Sequence, residues 1–381
     1  MKTIRCLILL LAFWSCKQGP KEELPSSIPT EDILISHAQG FTITKTSLGI
    51  TIIKITSPWP NADAVFTYAL VPRKKLAIIT LNRDEYDAII ATPIEKIVVT
   101  STTHIPALEA LGVENSLTGF PNTDYISSEK TRTRIAQNQV QELGNNEAIN
   151  AEMVIALQPD VVVGFSIDNR NKAYNTIQNS NIPVVYNGDW TEETPLGKAE
   201  WIKFFAPFYH LDKKADSIFT AIETNYDSAK QLAKNAKVIP AVLSGALYKD
   251  VWYLPGGKSW ASNFISDANA NYVWKSTEET GSLSLSLESV LDKAKGADFW
   301  ISPSQYLSYV QLEEGNRHYT QFDAFKDRKI YTFANSKGAT GGLLYYELAP
   351  NRPDLVLKDL IHIFHPELLP GHQPFFFKPL E

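Results

Sequence analysis

The sequence predicts an α/β protein: two α/β lobes with central, mostly parallel sheets, joined by one long backbone helix and preceded by a small N-terminal β meander. Three observations carry this expectation. After Pro93, short β-branched runs alternate with helical patterns, which is the texture of βαβ units. Residues 41–82 instead hold successive β-rich runs broken by turns. Between Leu211 and Lys234 a single apolar stripe runs without a breaker, as one long amphipathic helix requires. A chain of 381 residues with 44% hydrophobic content suits two or three units with real cores, at about 150 residues per domain.

The first sixteen residues read as a leader. Lys2 and Arg5 supply a basic start, and Cys6 to Trp14 form an apolar run too short to cross a bilayer. Taken on the residues alone, a plain secretory signal stays open. Ser15-Cys16 resembles the end of a bacterial lipoprotein signal. That resemblance implies lipidation of Cys16, a new N-terminus there, and a lipid-anchored place in the cell envelope facing the periplasm or the outer surface. A lipidated Cys16 leaves the mature chain with no thiol, since Cys6 is the only other cysteine, so cysteine catalysis is excluded. Residues 17–40, with Pro20, Pro25, Ser26, Ser27 and Pro29 among charged residues, are expected to be a polar tether.

The β extension is assigned to residues 41–92. Its strands are expected at Phe41–Thr44, Ile50–Ile55, Val65–Tyr68 and Leu76–Thr80, interrupted by Ser57-Pro58-Trp59-Pro60-Asn61; β-branched and aromatic residues favour a half-buried pleated surface. Residues 93–193 form the first lobe, with strands at Lys96–Thr100, Asp160–Phe165 and Pro183–Asn187. Helices are expected between them at Ile105–Leu111, Glu147–Leu157 and Lys172–Asn179. Residues 194–236 are the linking and backbone helices. Thr194-Pro195 gives an N-cap followed by proline in the first turn. Asp212 is expected to cap the long helix, whose stripe is Leu211, Ala215, Ile218, Phe219, Ile222, Tyr226, Ala229 and Ala233. Residues 237–381 form the second lobe, with strands at Val238–Leu243, Val251–Leu254, Ala297–Ser302 and Lys329–Phe333. Its helices are expected at Ser259–Ser266, Leu285–Lys295 and Pro353–Phe364.

Composition narrows the function. A formal charge of −6 and the lack of a Lys/Arg-rich run argue against nucleic acid as a partner. Pro255-Gly-Gly-Lys258-Ser259 lacks the glycine spacing of a phosphate-binding loop, and there is no Gly-x-Ser-x-Gly or His-Glu-x-x-His motif. The chain is therefore not expected to be an enzyme or to carry a cofactor. Of the seven histidines only His104 falls at a strand end, too few for a zinc-type metal site.

Several segments in order resemble the helical-backbone substrate-binding proteins of ABC importers, the class for ferric siderophores, cobalamin and haem. They are Glu95–Ser101 with His104 and Leu108–Val113; Glu152–Val163, a helix ending in Leu157-Gln158-Pro159-Asp160; and Asn181–Val185. Pro255–Ser259, Leu287–Leu291 and Arg352–Leu368 complete the order. The resemblance implies a cleft between two lobes, a ferric siderophore or cobalamin as ligand, and a separate permease with its ATPase as partner. It also implies that Glu152 and Glu288, one per lobe, dock on that permease. Phe165, Trp190, Tyr248, Trp252, Trp260, Tyr306, Tyr345 and Tyr346 fall at or after strand ends, where open α/β sheets bind ligands. Flat aromatic faces there suit a large chelate, although aromatics also fill cores. Arg170 is the candidate partner for an anionic ligand.

Overall fold

The computed structural model describes residues 22–23 and 29–381, apart from 61, 147 and 169. The lipidation candidate Cys16 and most of the expected tether lie outside the described residues.

The first lobe is built on a parallel five-stranded sheet in the order Gln141–Glu142, Leu117–Phe120, Ile97–Val99, Val161–Gly164, Val184–Tyr186. Its strands Ile97–Val99, Val161–Gly164 and Val184–Tyr186 are apolar and buried because both faces are covered. Val98, Val162 and Val184 point to one side, against Val154, Tyr174 and Ile177 from the helices Ala151–Leu157 and Lys172–Asn179. Ile97, Val99, Val161, Val163 and Val185 point to the other, into a core shared with the N-terminal sheet and the helices of residues 195–209.

The expected N-terminal meander is present, with one further strand closing its sheet. Thr30–Ile33, Phe41–Thr46, Thr51–Ile55 and Phe66–Pro72 pair antiparallel in that order, and Ala88–Thr92 closes the sheet parallel to Phe66–Pro72. The expected strand at Leu76–Thr80 is not part of it. The basic run Arg73–Lys75 turns the chain in a short 3-10 helix, and only Ile79–Thr80 pairs, with Glu22–Glu23. The tether expected to reach residue 40 ends earlier. Thr30–Ile33 is an edge strand, and the amides of Ser36, His37 and Ala38 donate to Glu200 while those of Gln39 and Gly40 donate to Glu192. Charge-assisted bonds of this kind hold a segment that sequence composition reads as loose.

The second lobe has a sheet in the order Asn271–Tyr272, Ala241–Ser244, Phe299–Ile301, Ile330–Thr332, Lys378–Pro379, parallel except for the last edge. A three-stranded antiparallel sheet, Ala246–Tyr248, Val251–Pro255 and Ser282–Leu285, lies beside it. Between the lobes runs the helix Asp212–Ala233, roughly 33 Å at 1.5 Å per residue. Its buried stripe is divided. Ala215, Phe219 and Ile222 belong to the first core, and Tyr226, Ala229 and Ala233 to the second. One rigid element is thus anchored in both lobes. Asp212 lies within its first turn, paired to Lys45 at 2.9 Å, and Leu211 takes the cap position without a side-chain bond.

Candidate functional site

The carboxyl ends of both parallel sheets face one cleft. It holds a cavity of about 570 Å³ lined from both lobes, within the range of small-molecule sites. The first lobe supplies Thr100 and Ser101 from the end of Ile97–Val99, Phe120 and Asn122 from the end of Leu117–Phe120, and Phe165 from the end of Val161–Gly164. Gln305, Lys337, Leu343 and Tyr346 come from the second lobe. A shallower extension of about 290 Å³ runs along the second lobe past Ser244, Tyr248, Trp260 and Tyr346.

Phe165 is held in place from behind. Its amide donates to the Thr100 hydroxyl at 2.8 Å, and its carbonyl accepts from the Tyr174 hydroxyl at 2.9 Å. Tyr174 reaches that position across Gly164, where a Cβ would lie 2.7 Å from its ring. Burial pushes the Tyr174 phenol up well beyond its ordinary range, so it stays a neutral donor. Tyr346 is 55% exposed and is buttressed by Tyr345 at 5.8 Å, itself stacked on Phe333 at 4.4 Å.

One end of the cleft is bridged. The Glu347 carboxylate of the second lobe accepts from the amides of Ser127 at 2.5 Å and Ser128 at 3.0 Å. Thr340 Oγ1 donates to the Asp124 carbonyl at 2.7 Å, and Asn351 Nδ2 to the Thr103 carbonyl at 2.8 Å. Gly342 lets this loop close on the first lobe, since a Cβ there would sit 2.3 Å from the Tyr125 carbonyl oxygen. Burial pushes the Glu347 carboxyl up to about 7 despite the two amides, with Glu109 adding to the rise.

The aromatic candidates separate into groups. Phe165 and Tyr346 line the deep cavity. Trp190 stands edge-to-face with Phe165 at 5.3 Å, and Trp260 lies 5.8 Å from Tyr345. Tyr248 is 66% exposed beside the shallow extension. Trp252 is not in the cleft. It is fully buried between Trp300 and Tyr319, with Nε1 donating to the Ser244 carbonyl at 3.1 Å. Tyr306 leans on Tyr319 at 6.0 Å and against Gly315, packed on the second core instead of the cavity wall. Arg170 lines an adjoining hollow that shares Asn146 and Phe165 with the deep cavity; its side chain is 87% exposed, with Asp168 at 3.9 Å. The cation lining the deep cavity is Lys337.

Sequence reasoning missed Lys337, Asn122, Asn146 and Gln305. A usable signal existed for two of them. Asn122 follows Pro121 at a strand end and adopts φ 53°, a conformation that asparagine tolerates. Lys337 opens Lys-Gly-Ala-Thr-Gly-Gly, a stretch able to approach another backbone closely. His104 is fully buried against Phe205 at 5.4 Å, close to Asn187 and Asp189. Burial lowers its pKa and keeps it neutral. Among the described residues no cluster of three His, Cys, Asp or Glu could hold a metal ion.

A family model for periplasmic binding proteins matches residues 97–336, more than half of the chain. An uncharacterized lipoprotein of Methanocaldococcus jannaschii is 26% identical over 298 residues, covering 76% of this chain and 69% of that protein. A structure described as a possible iron-binding, periplasmic solute-binding protein of Staphylococcus epidermidis superposes with a TM-score of 0.57 at 17% identity, over 72% of this chain and 100% of that one. The periplasmic heme-binding protein HutB of Vibrio cholerae gives 0.55 at 17% identity, over 69% and 99%. These likenesses bear on the fold.

Proposed function

The chain belongs to the periplasmic binding protein family, a family of substrate binders and not of enzymes, and on that premise we propose that it captures a ferric siderophore in the inter-lobe cleft for delivery to an ABC permease. The observation that carries the reading is the lining of the deep cavity. Four aromatic residues, Phe120, Tyr125, Phe165 and Tyr346, share it with the amide side chains of Asn122, Asn146 and Gln305 and with Lys337 as the cation. Asn146 Oδ1 is buried without a partner among the described residues, and such an orphan acceptor favours a ligand that donates to it. A chelate whose iron is already saturated needs no ligating side chain, only flat apolar contact and a few polar anchors. Lys337 among neutral amides fits a chelate of low net charge, a trihydroxamate before a tris-catecholate. Haem iron, in contrast, takes an axial His, Cys, Met or Tyr, and of these the cavity offers only Tyr125 and Tyr346. Cobalamin is the second cargo the aromatic lining supports. The lipoprotein name of the archaeal relative and the Ser15-Cys16 leader support a lipid-anchored receptor.

Titration of intrinsic tryptophan fluorescence with ferric trihydroxamates, cyanocobalamin and haemin tests the assignment. Saturable quenching by the ferric chelates is expected. Phe165→Ala and Tyr346→Ala should each weaken it on the order of tenfold, the scale of a lost aromatic contact plus its buried area. Binding of cobalamin or haemin in preference to every ferric chelate overturns the iron assignment, and binding of none points to a non-transport lipoprotein.

A further inference from the structure

The cleft does not end at Trp260. Beyond it lies a third space of about 670 Å³. The shallow extension and this space share Pro255, Trp260, Ala261 and Ser282, while the extension and the deep cavity share Tyr346. On the opposite wall, Phe165 of the deep cavity touches Trp190 of the third space. The hollow beside Arg170 opens here too, since it shares Asn146 and Phe165 with the deep cavity, and the three spaces adjoin as one trough. Its outer compartment has a wall that the family match does not include, because residues 37–62 lie before position 97.

That wall is built in. The loop after Thr51–Ile55 lies on the turn following Val184–Tyr186, at the carboxyl edge of the first sheet. Thr191 Oγ1 donates to the Ser57 carbonyl at 3.0 Å, and Gly188 admits the Ser57 backbone where a Cβ would lie 2.3 Å from its oxygen. Trp59 is fixed edge-to-face on Phe66 at 5.8 Å and Tyr186 at 5.4 Å.

The chemistry of this compartment differs from that of the deep cavity. Three indoles line it, Trp59, Trp190 and Trp260, with the exposed side chains of Gln39, Glu193 and Ser282. The Trp190 indole N–H is buried and has no partner among the described residues. Of the charged groups in the lining, His37 is paired with Glu223 at 2.6 Å, and Glu192 is occupied by the Gln39 and Gly40 amides and the Trp201 indole. Glu193 makes no ion pair among the described residues. Lys198 lies 5.3 Å from the Trp260 ring, donating to the Asp189 and Trp190 carbonyls. The carboxylate left without an ion pair at the outer end is thus Glu193, within electrostatic reach of Lys258, which is itself paired to Glu278, while the cation lining the deep cavity is Lys337. Indole faces beside a carboxylate favour an organic cation.

We propose that the N-terminal sheet completes an outer compartment of the ligand trough, and that this compartment receives a cationic, amine-bearing arm of the chelate whose body lies against Phe165 and Tyr346. The assignment rests on the ferric-chelate reading above. Ferrioxamine B, a linear ferric trihydroxamate with a pendant primary amine, and ferrioxamine E, its cyclic counterpart without one, separate the two claims. The wild-type chain should bind the B form about tenfold or more tightly than the E form, the scale of one desolvated charge pair. Glu193→Gln should remove that preference and leave the E form's affinity unchanged. Gln39→Trp, which fills the compartment from an exposed position outside the extension, should do the same. Equal wild-type affinity for the two probes, or a preference that neither variant moves, overturns the arm compartment and leaves the chelate reading standing. Binding of neither probe overturns the trihydroxamate reading and the arm with it.

Discussion

At the residue scale, the bridge across the cleft turns on one carboxylate. Glu347 is 2% exposed, and both oxygens accept backbone amides from the opposite lobe. Those amides open the helix Glu129–Ala136, so the carboxylate also faces the positive end of a short helix. Desolvation nevertheless dominates and raises the carboxyl to about 7, with Glu109 the like charge nearby. The sign of the linkage follows. In the unfolded chain Glu347 ionises near its ordinary value, so between that value and about 7 the folded state holds the extra proton. Stability from this group is complete below the unfolded value, falls as pH rises through that window, and is flat above it. Glu347→Gln mimics the protonated form and should flatten this part of the melting-temperature profile. Thermal melts from pH 4 to 8 check it; an unchanged slope in the variant would show that Glu347 does not carry the dependence.

At the scale of elements, what the sequence revealed depended on whether the signal was local. The helices Lys172–Asn179 and Pro353–Phe364 are found at the expected bounds because their ends are written beside them, Asn171 accepting from the Ala173 and Tyr174 amides and Pro353 occupying the first turn. Thr194 likewise accepts from the Gly197 amide at 3.0 Å, a cap worth about 1 kcal/mol. The helix expected from Glu147 instead begins at Ala151, because Asn150 caps it through the Met153 amide at 3.0 Å. The strand expected from Val238 starts at Ala241. Pro240 cannot donate to a ladder, and Val238 and Ile239 are exposed. The strand Leu117–Phe120 was not foreseen, since Thr118 and Gly119 break its apolar run. For the site, position along the chain located strand ends but not faces. Trp252 and Tyr253 are neighbours on one strand, yet the two-residue period buries the first and exposes the second. The bridge was illegible for another reason: Glu347 and Ser127 are 220 residues apart, and no local pattern encodes that meeting.

At the scale of the molecule, two lobes pinned to one helix leave little freedom for large closure, so transport should depend on where the receptor sits and what it meets. The first requirement is the anchor, which we propose is a lipid on Cys16. Cys16→Ser should release the protein from membranes washed in high salt, and retention of the variant would count against the anchor. Docking is the second. In βαβ units helices run antiparallel to the strands, so their N-termini lie at the carboxyl edge of the sheet, on the rim of the cleft. Glu152 occupies the first turn of Ala151–Leu157, ahead of Val161–Gly164, and Glu288 the first turn of Leu287–Ala294, ahead of Phe299–Ile301. Both are exposed. The Glu288 carboxyl is held below its usual range by its own amide and the Ser286 hydroxyl, so it presents a full negative charge. A first-turn glutamate is favoured by the helix dipole without any partner, and stability alone therefore cannot reveal a docking role. Transport can. Reversing both charges, Glu152→Lys with Glu288→Lys, replaces attraction by repulsion at each lobe. The proposed docking role requires uptake of the ligand to fall to background while the purified double variant binds it with unchanged affinity. Normal uptake by the double variant would reduce both glutamates to helix-end charges, and a parallel loss of ligand binding would place the damage in the lobes themselves.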